Sequence, residues 1–135
     1  MRCLLFLLCA LSHGAEGRWI TVEATAYCPC ELCCEGSADG ITADGTRTMD
    51  APYGIASSPN LALGSIVFLP SGAGYLDATY PRDSQRLFRI DDRGGSLRTD
   101  WRRTGITRLD LRYKNHWSAK QFGRKLLVVY VQEAK

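Results

Sequence analysis

The chain has 135 residues, a formal net charge of +3, 45% hydrophobic residues and 23% charged residues. This length suits one domain with one hydrophobic core. The small positive excess argues against nucleic-acid binding, which usually shows a denser basic stripe. The densest basic stretch is interrupted by Asp100 and Asp110, as is typical of a solvated face, and comprises Arg98, Arg102, Arg103 and Arg108. The sequence contains no P-loop and no dinucleotide-binding fingerprint, so we expect no nucleotide and no other cofactor.

The first fifteen residues have the layout of a secretory signal peptide. A short basic start is followed by an apolar run at residues 3–11 and by small residues that suit cleavage after Ala15. A buried core helix is the alternative interpretation, since the run is too short to span a bilayer. We therefore predict a signal peptide at residues 1–15 and one exported domain at residues 16–135. That domain would be secreted or periplasmic, with no stable membrane anchor after cleavage.

Four cysteines lie close together in the stretch CPCELCC, at Cys28, Cys30, Cys33 and Cys34. An even number of cysteines in an exported chain favours disulfides, and four cysteines allow three pairings. The alternative is a zinc site with four thiolate ligands. The adjacent sulfurs of Cys33 and Cys34 make a regular tetrahedron harder to build, and no second C-x2-C pair occurs elsewhere. We therefore predict disulfides that shape a local loop, and no metal site.

Short β-rich runs separated by turns recur along the chain. They predict strands at residues 19–27, 64–70, 86–91, 107–113 and 125–132. One stretch, residues 115–122, predicts a short helix with Asn115 as its N-cap and Gly123 after its end. We expect His116, within that helix, to be a surface or capping residue and not a metal ligand. Many short strands with few helices favour a mainly β fold, either a small barrel or a sandwich.

The stretch IDDRGG at residues 90–95 joins a strand end to a turn and carries two adjacent aspartates. With strict strand alternation, Asp92 shares the apolar face of Phe88 and Ile90, whereas Asp91 shares the face of Arg89. Partial desolvation would raise the pKa of Asp92, as a general acid requires, and Asp91 would stay ionised in a salt bridge or a cap. A plain surface turn is the alternative interpretation, because Asp and Gly are common in turns.

A further aspartate, Asp110, lies on the polar face of the strand predicted at residues 107–113. Arg108 and Arg112 flank it on that face. An exposed strand edge with charge pairs is one interpretation, and a functional carboxylate is the other.

Four stretches, taken in order, resemble the three-aspartate (3D) domain of bacterial cell-wall proteins. Residues 25–46, TAYCPCELCCEGSADGITADGT, resemble its opening, and residues 53–70, YGIASSPNLALGSIVFLP, resemble its next element. Residues 92–95, DRGG, resemble its D-T-G-G motif. Residues 108–131, RLDLRYKNHWSAKQFGRKLLVVYV, resemble its closing R-I-D-L-Y, helix and final strand. The ordered set covers nearly all of residues 16–135.

This resemblance implies a six-stranded double-psi β-barrel with a short helix before the last strand. It also implies kinship with the membrane-bound lytic transglycosylase A and the stationary-phase muralytic proteins. Those enzymes cleave the glycan strand of peptidoglycan between N-acetylmuramic acid and N-acetylglucosamine, and they form an anhydro ring instead of adding water. One carboxyl group suffices, because the substrate supplies its own C6 hydroxyl, whereas an ordinary glycosidase needs two carboxyl groups.

The resemblance also implies roles for individual residues. The catalytic acid/base falls on Asp92, and a second aspartate falls on Asp110, which would orient Asp92 or bind sugar hydroxyls. Gly94 and Gly95 would let the backbone approach the sugar closely. The first aspartate of the family falls on Ser58, which can donate a hydrogen bond to substrate but cannot carry the charge.

Other departures from the family pattern concern Arg93 and two longer segments. Arg93 replaces a threonine and brings a cation beside Asp92, which opposes a raised pKa. The segments at residues 71–85 and 96–107 are expected to be loops that wall a glycan groove, with Trp101, Tyr75 or Tyr80 stacking on sugar faces.

We thus predict a lytic transglycosylase that binds peptidoglycan glycan strands. A non-catalytic glycan-binding module with the same barrel is the alternative, and a disulfide-stapled structural domain is a third interpretation.

Overall fold

The computed structural model describes residues 16–69 and 87–135. The strands in these ranges are β1 (Gly17–Tyr27), β2 (Ile55–Ser57), β3 (Ile66–Phe68), β4 (Leu87–Arg93), β5 (Arg108–Arg112) and β6 (Lys125–Gln132). The helices are α1 (Glu31–Cys34), α2 (Gly95–Thr104) and α3 (His116–Phe122), and a single 3-10 turn follows α1 at Glu35–Ser37.

The six strands form one sheet that closes on itself. Their order is β1-β5-β2-β4-β3-β6, and β6 pairs back onto β1. The pairs β1/β5 and β2/β4 are parallel, and the other neighbouring pairs are antiparallel. Because every strand has a partner on both sides, even the three-residue strands β2 and β3 are held in place. The predicted mainly β class is confirmed.

One face of the longer strands fills the interior of the closed sheet. Val22 and Ala24 of β1 are buried, and Val129 and Val131 of β6 are buried between more exposed neighbours. This is the period-two pattern from which the strands were predicted. Helix α3 packs against β1 and adds Phe122 to the same core.

Three elements differ from the sequence prediction, namely β2, α1 and α2. β2 has only three residues and lies in no β-rich run, so it depends on its two partner strands for its existence. Helix α2 replaces a predicted loop, because its start lacks the usual signals: Gly94 is the N-cap and provides no side-chain cap. Its end is clearer, since Gly105 has a φ of 69° and its N–H donates to the carbonyl of Trp101 at 2.8 Å.

Strand β4 carries an irregularity at its two aspartates. The pairing of β4 with β2 skips Asp91, which is therefore the extra residue of a β-bulge. Strict alternation would place Asp91 on the face of the exposed Arg89, but the bulge turns its side chain inward, where it is 4% exposed. Arg89 forms an ion pair with Asp44 at 3.1 Å instead. Between the two aspartates, the buried one is therefore Asp91 and not Asp92.

The buried carboxylate of Asp91 is matched by Arg112, whose side chain is also fully buried. The guanidinium donates two parallel hydrogen bonds, Nη1 to Oδ1 at 2.9 Å and Nη2 to Oδ2 at 2.6 Å. Nη2 also donates to the carbonyl of Ala51 at 3.1 Å. A Cβ at Gly54 would overlap both charged side chains, so this position requires glycine. The ion pair thus ties β4, β5 and the segment before β2 together.

Some sequence expectations lie outside the described residues. These are the signal peptide at residues 1–15 and the loop aromatics Tyr75 and Tyr80, and they stay predictions.

Within residues 16–69 and 87–135, none of the helices combines the length and the apolar character that crossing a bilayer requires.

We expect Asp91→Asn to lower the free energy of unfolding by about 3–5 kcal/mol, because it leaves the buried charge of Arg112 uncompensated. Chemical denaturation followed by circular dichroism measures the change. The matched control is Glu133→Gln, which breaks the exposed ion pair between Arg18 and Glu133 at 2.6 Å. That control should change stability by less than about 1 kcal/mol. Equal small effects of the two substitutions would contradict a structural role for the buried pair.

Candidate functional site

The two aspartates predicted to be catalytic stand in one row across neighbouring strands. Ala56 of β2 pairs with Asp92 of β4 on one side and with Asp110 of β5 on the other. Asp110 pairs in turn with Thr25 of β1. Since neighbouring strands lie about 4.8 Å apart, the backbones of Asp92 and Asp110 are separated by about 10 Å. The small side chain of Ala56 lies between the two carboxyl groups.

This row contributes to a cleft of about 520 Å³. Asp92, Asp110 and Ala56 all line the cleft, together with the last residue of β1, Tyr27. The remaining lining comes from residues 33–35, from residues 39 and 41–43, and from residues 93–96 at the end of β4 and the start of α2. The predicted site residues Asp92, Asp110, Gly94 and Gly95 are therefore brought together in one place.

Asp92 is fixed as a hydrogen-bond acceptor. The hydroxyl of Tyr27 donates to Oδ2 at 2.8 Å. The backbone N–H of Ala43 donates to Oδ1 at 2.9 Å, and the backbone N–H of Arg93 donates to the same oxygen at 2.8 Å. All three partners are donors, so they complement a carboxylate and hold it in one orientation at the cleft.

The orientation of Tyr27 depends on the buried ion pair. Nη1 of Arg112 donates to the Tyr27 hydroxyl oxygen at 3.1 Å. Because a guanidinium can only donate, the tyrosine proton is left for Asp92. Burial raises the pKa of Tyr27 well above its usual range, which keeps that proton in place. A continuous chain of hydrogen bonds therefore runs from Asp91 through Arg112 and Tyr27 to Asp92.

Asp110 has a different environment. Burial raises its pKa to about 6, and the negative charge of Asp92 acts in the same direction. The hydroxyl of Thr25 donates to Oδ1 at 3.0 Å and opposes that rise. Asp110 therefore keeps a proton in mildly acidic solution, as a general acid requires.

The guanidinium of Arg93 is held by hydrogen bonds to groups of β2 and the turn that follows it. Its guanidinium donates to the carbonyl oxygens of Ser57, Ser58 and Leu61, the last at 2.6 Å. It also donates to the hydroxyl of Ser57. These bonds hold the cation against the end of β2 and the turn that follows. The backbone N–H of Arg93 donates to Asp92.

Two other predicted substrate-binding residues lie outside the cleft lining. Ser58 is fully buried, and its hydroxyl accepts from the N–H of Arg108 at 2.8 Å and donates to the carbonyl of the same residue at 3.2 Å. Trp101 lies half-buried in α2 and does not line the cleft. The hydroxyl of Ser58 thus joins the end of β2 to β5.

The four cysteines are all free thiols, in contrast to the predicted disulfides. The sulfurs of Cys28, Cys30 and Cys33 lie 3.8, 3.6 and 3.3 Å from Nδ1 of His116. Cys34 turns away from this group: its Sγ contacts the carbonyl of Cys28 at 3.4 Å, and its side chain lines the cleft. A hydrogen bond from the Cys28 thiol lowers the pKa of Cys30 to about 6, which favours its thiolate.

Sequence reasoning missed several residues of this region. His116 lies more than 80 residues from the cysteines, and it reaches them because β1 and β5 run parallel, with the N–H of Tyr113 donating to the carbonyl of Tyr27 at 2.7 Å. Ala56 lies in the strand that was not predicted. Tyr27 stands in the motif at residues 25–46, but nothing in its spacing indicates that it contacts Asp92.

Comparison of the chain with models of protein families gave no match, and comparison with characterised proteins gave none either. The functional interpretation therefore depends on the geometry of the cleft and on the resemblance of the sequence motifs.

The raised pKa of Asp110 predicts a pH-dependent loss of stability. Because its folded-state pKa is about 6 against an ordinary 3.8, the folded protein binds this proton more tightly than the unfolded chain. The Asp110 contribution to the unfolding free energy therefore falls as the pH rises from about 4 to about 6, and then stays constant.

Asp110→Asn removes this titration while its side-chain oxygen can still accept from Thr25. We compare the free energy of unfolding of Asp110→Asn with that of the parent. The variant's value minus the parent's value should be larger at pH 7 than at pH 4 by about 1–3 kcal/mol. Urea denaturation at a series of pH values measures the difference. Asp50→Asn, at an exposed loop aspartate, is the control and should show no comparable trend. If the difference in unfolding free energy between the parent and Asp110→Asn does not change with pH, the raised pKa of Asp110 is contradicted.

Proposed function

We propose that this chain is a peptidoglycan lytic transglycosylase that acts on the bond between N-acetylmuramic acid and N-acetylglucosamine. The observation that carries the proposal is the row of Asp92, Ala56 and Asp110, which places two carboxyl groups with different environments in one cleft. Pairs of carboxyl groups with distinct environments are characteristic of glycosidic bond cleavage. The resemblance to the 3D domain supplies the substrate class and the secreted or periplasmic, wall-associated location.

The two environments favour a division of roles in this reaction. Asp110, with a pKa raised to about 6, donates its proton to the glycosidic oxygen as the bond from C1 to that oxygen breaks. The C6 hydroxyl oxygen of the muramic residue then attacks C1, and Asp92 accepts the hydroxyl proton. Proton exchange with solvent returns both groups to their starting states. The resemblance alone assigns both steps to Asp92, whereas its three hydrogen-bond donors favour the role of base.

The fold supports the same proposal. A closed sheet of six strands with two parallel pairs, β1/β5 and β2/β4, is compatible with the double-psi barrel that the motifs imply. In that arrangement the D-T-G-G-like stretch ends at the start of α2, beside the cleft. A Cβ at Gly95 would meet open space, so the backbone there is accessible to a ligand.

A non-catalytic glycan-binding module is the second candidate, and one observation favours it. The family aspartate that falls on Ser58 is replaced by a buried hydroxyl bonded to the Arg108 backbone. This position therefore cannot supply the carboxylate that it has in the family. In this case the same row of residues would bind sugar without cleaving it.

Digestion of purified peptidoglycan separates the two candidates. We expect the parent protein to release anhydro-muropeptides, detected by mass spectrometry, with kcat/KM falling as the pH rises above about 6 because Asp110 loses its proton. Asp92→Asn and Asp110→Asn should each lower the rate by at least about 100-fold. Asp100→Asn, at a residue of α2 outside the cleft lining, is the control and should retain activity. Sedimentation with peptidoglycan without product release would establish the binding module instead.

The spacing of the two carboxyl groups gives a second test. Ala56→Val adds two methyl groups between Asp92 and Asp110 and keeps a residue type that strands accept. We expect a loss of activity of at least about tenfold, because the added methyl groups prevent the substrate from binding between the carboxyl groups of Asp92 and Asp110. Circular dichroism confirms the retained fold. Unchanged activity in a folded Ala56→Val variant would show that substrate does not enter between the two aspartates.

A further inference from the structure

We propose that Cys28, Cys30, Cys33 and His116 form a structural zinc site at the end of β1. Their ligand atoms all lie within 4.8 Å of one another. Three thiolates and one imidazole are a donor set that zinc uses in closed, four-coordinate sites. This inference does not depend on the proposed function, because it concerns metal content and stability.

The distances within the group suit a tetrahedral ion. Zinc bonds of about 2.3 Å to sulfur and about 2.0–2.1 Å to nitrogen place two sulfurs about 3.8 Å apart and a sulfur and a nitrogen about 3.5 Å apart. The nitrogen of His116 lies 3.3 to 3.8 Å from the three sulfurs. The sulfurs of Cys28 and Cys33 are 3.5 Å apart. Four of these separations are therefore close to tetrahedral values before any adjustment.

The sulfurs of Cys28 and Cys30 distinguish metal binding from oxidation. The sulfurs of Cys28 and Cys30 are 2.7 Å apart, which is shorter than a tetrahedral edge. Zinc binding requires them to separate by about 1 Å. A disulfide requires them to approach to about 2.05 Å and an oxidant to accept the two electrons. The imidazole favours the metal, because a disulfide between Cys28 and Cys30 would leave Cys33 and His116 facing each other without a common partner.

The local backbone presents these ligands and keeps the fourth cysteine out. The N–H groups of Cys33 and Cys34 both donate to the carbonyl of Cys30, at 3.1 and 2.9 Å, and this turn gives Cys30 and Cys33 a C-x2-C arrangement. Asn115 caps α3 by accepting from the N–H of Ser118 at 2.8 Å, which fixes the helix start at His116. Successive helical residues point in different directions, so the Sγ of Cys33 lies 3.3 Å from Nδ1 of His116 while the Sγ of Cys34 contacts the carbonyl of Cys28 at 3.4 Å.

Zinc binding at this position has a consequence for the cleft. On binding, the cysteines that are still protonated release their protons to solvent, and the ion joins the segment after β1 to the start of α3. The same segment continues into Cys34 and Glu35, which line the cleft. The ion would therefore hold one wall of the cleft against the closed sheet.

The test uses the full chain purified without chelator, with metal content measured by plasma mass spectrometry. We expect about one zinc ion per chain, retained on dialysis against a weak chelator. Removal by a strong chelator should lower the Tm by at least about 5 °C. Cobalt substitution should give the intense visible absorption of tetrahedral thiolate coordination. Cys34→Ser is the matched control and should keep the metal, whereas Cys33→Ser and His116→Ala should lose it.

A further variant covers the case in which His116→Ala does not fold. His116→Cys supplies a fourth thiolate at the same place, and we expect it to bind zinc and to shift the cobalt spectrum. The inference is overturned by four free thiols without zinc at residues 28–34, or by a mass two hydrogens lighter that maps to Cys28 and Cys30. Equal metal loss from Cys34→Ser and Cys33→Ser also overturns it, as does zinc removed by the weak chelator, which indicates an adventitious ion only.

Discussion

The buried ion pair between Asp91 and Arg112 is the interaction on which the rest of the structure depends. Both charges are removed from water, and each would be severely destabilising without the other. The pair exists because a bulge in β4 turns Asp91 inward and because Gly54 leaves room for both side chains. Its guanidinium then orients the hydroxyl of Tyr27, so a structural interaction in the core sets the geometry of the cleft.

This arrangement gives two neighbouring aspartates different tasks. Asp91 neutralises a core cation, whereas Asp92 accepts three hydrogen bonds at the surface of the cleft. Across Ala56, Asp110 is buried enough to hold a proton to about pH 6. The chemistry that we propose arises from this contrast between the environments of Asp92 and Asp110, and the closed sheet provides it by placing β4, β2 and β5 side by side.

The sequence predicts the parts of this molecule that depend on local pattern. Period-two alternation identifies the longer strands, and Asn115 and Gly123 mark the ends of α3 with good accuracy. The motifs also select Asp92 and Asp110. Alternation fails at Asp91, because a bulge shifts every face after it by one residue and leaves no signal in residue type. The spacing of residues along the sequence also does not show which distant strands pair. The contact of His116 with the cysteines is therefore visible only in the structure.

A carboxyl-detected NMR titration of the aspartates tests the central claim most directly, that Asp92 and Asp110 form one coupled site with Asp110 as the proton donor. The account predicts that Asp110 titrates with a pKa near 6 and that this pKa falls in Asp92→Asn, because the charge of Asp92 helps to raise it. An Asp110 pKa near the ordinary value of 3.8, unchanged by Asp92→Asn, would contradict the account.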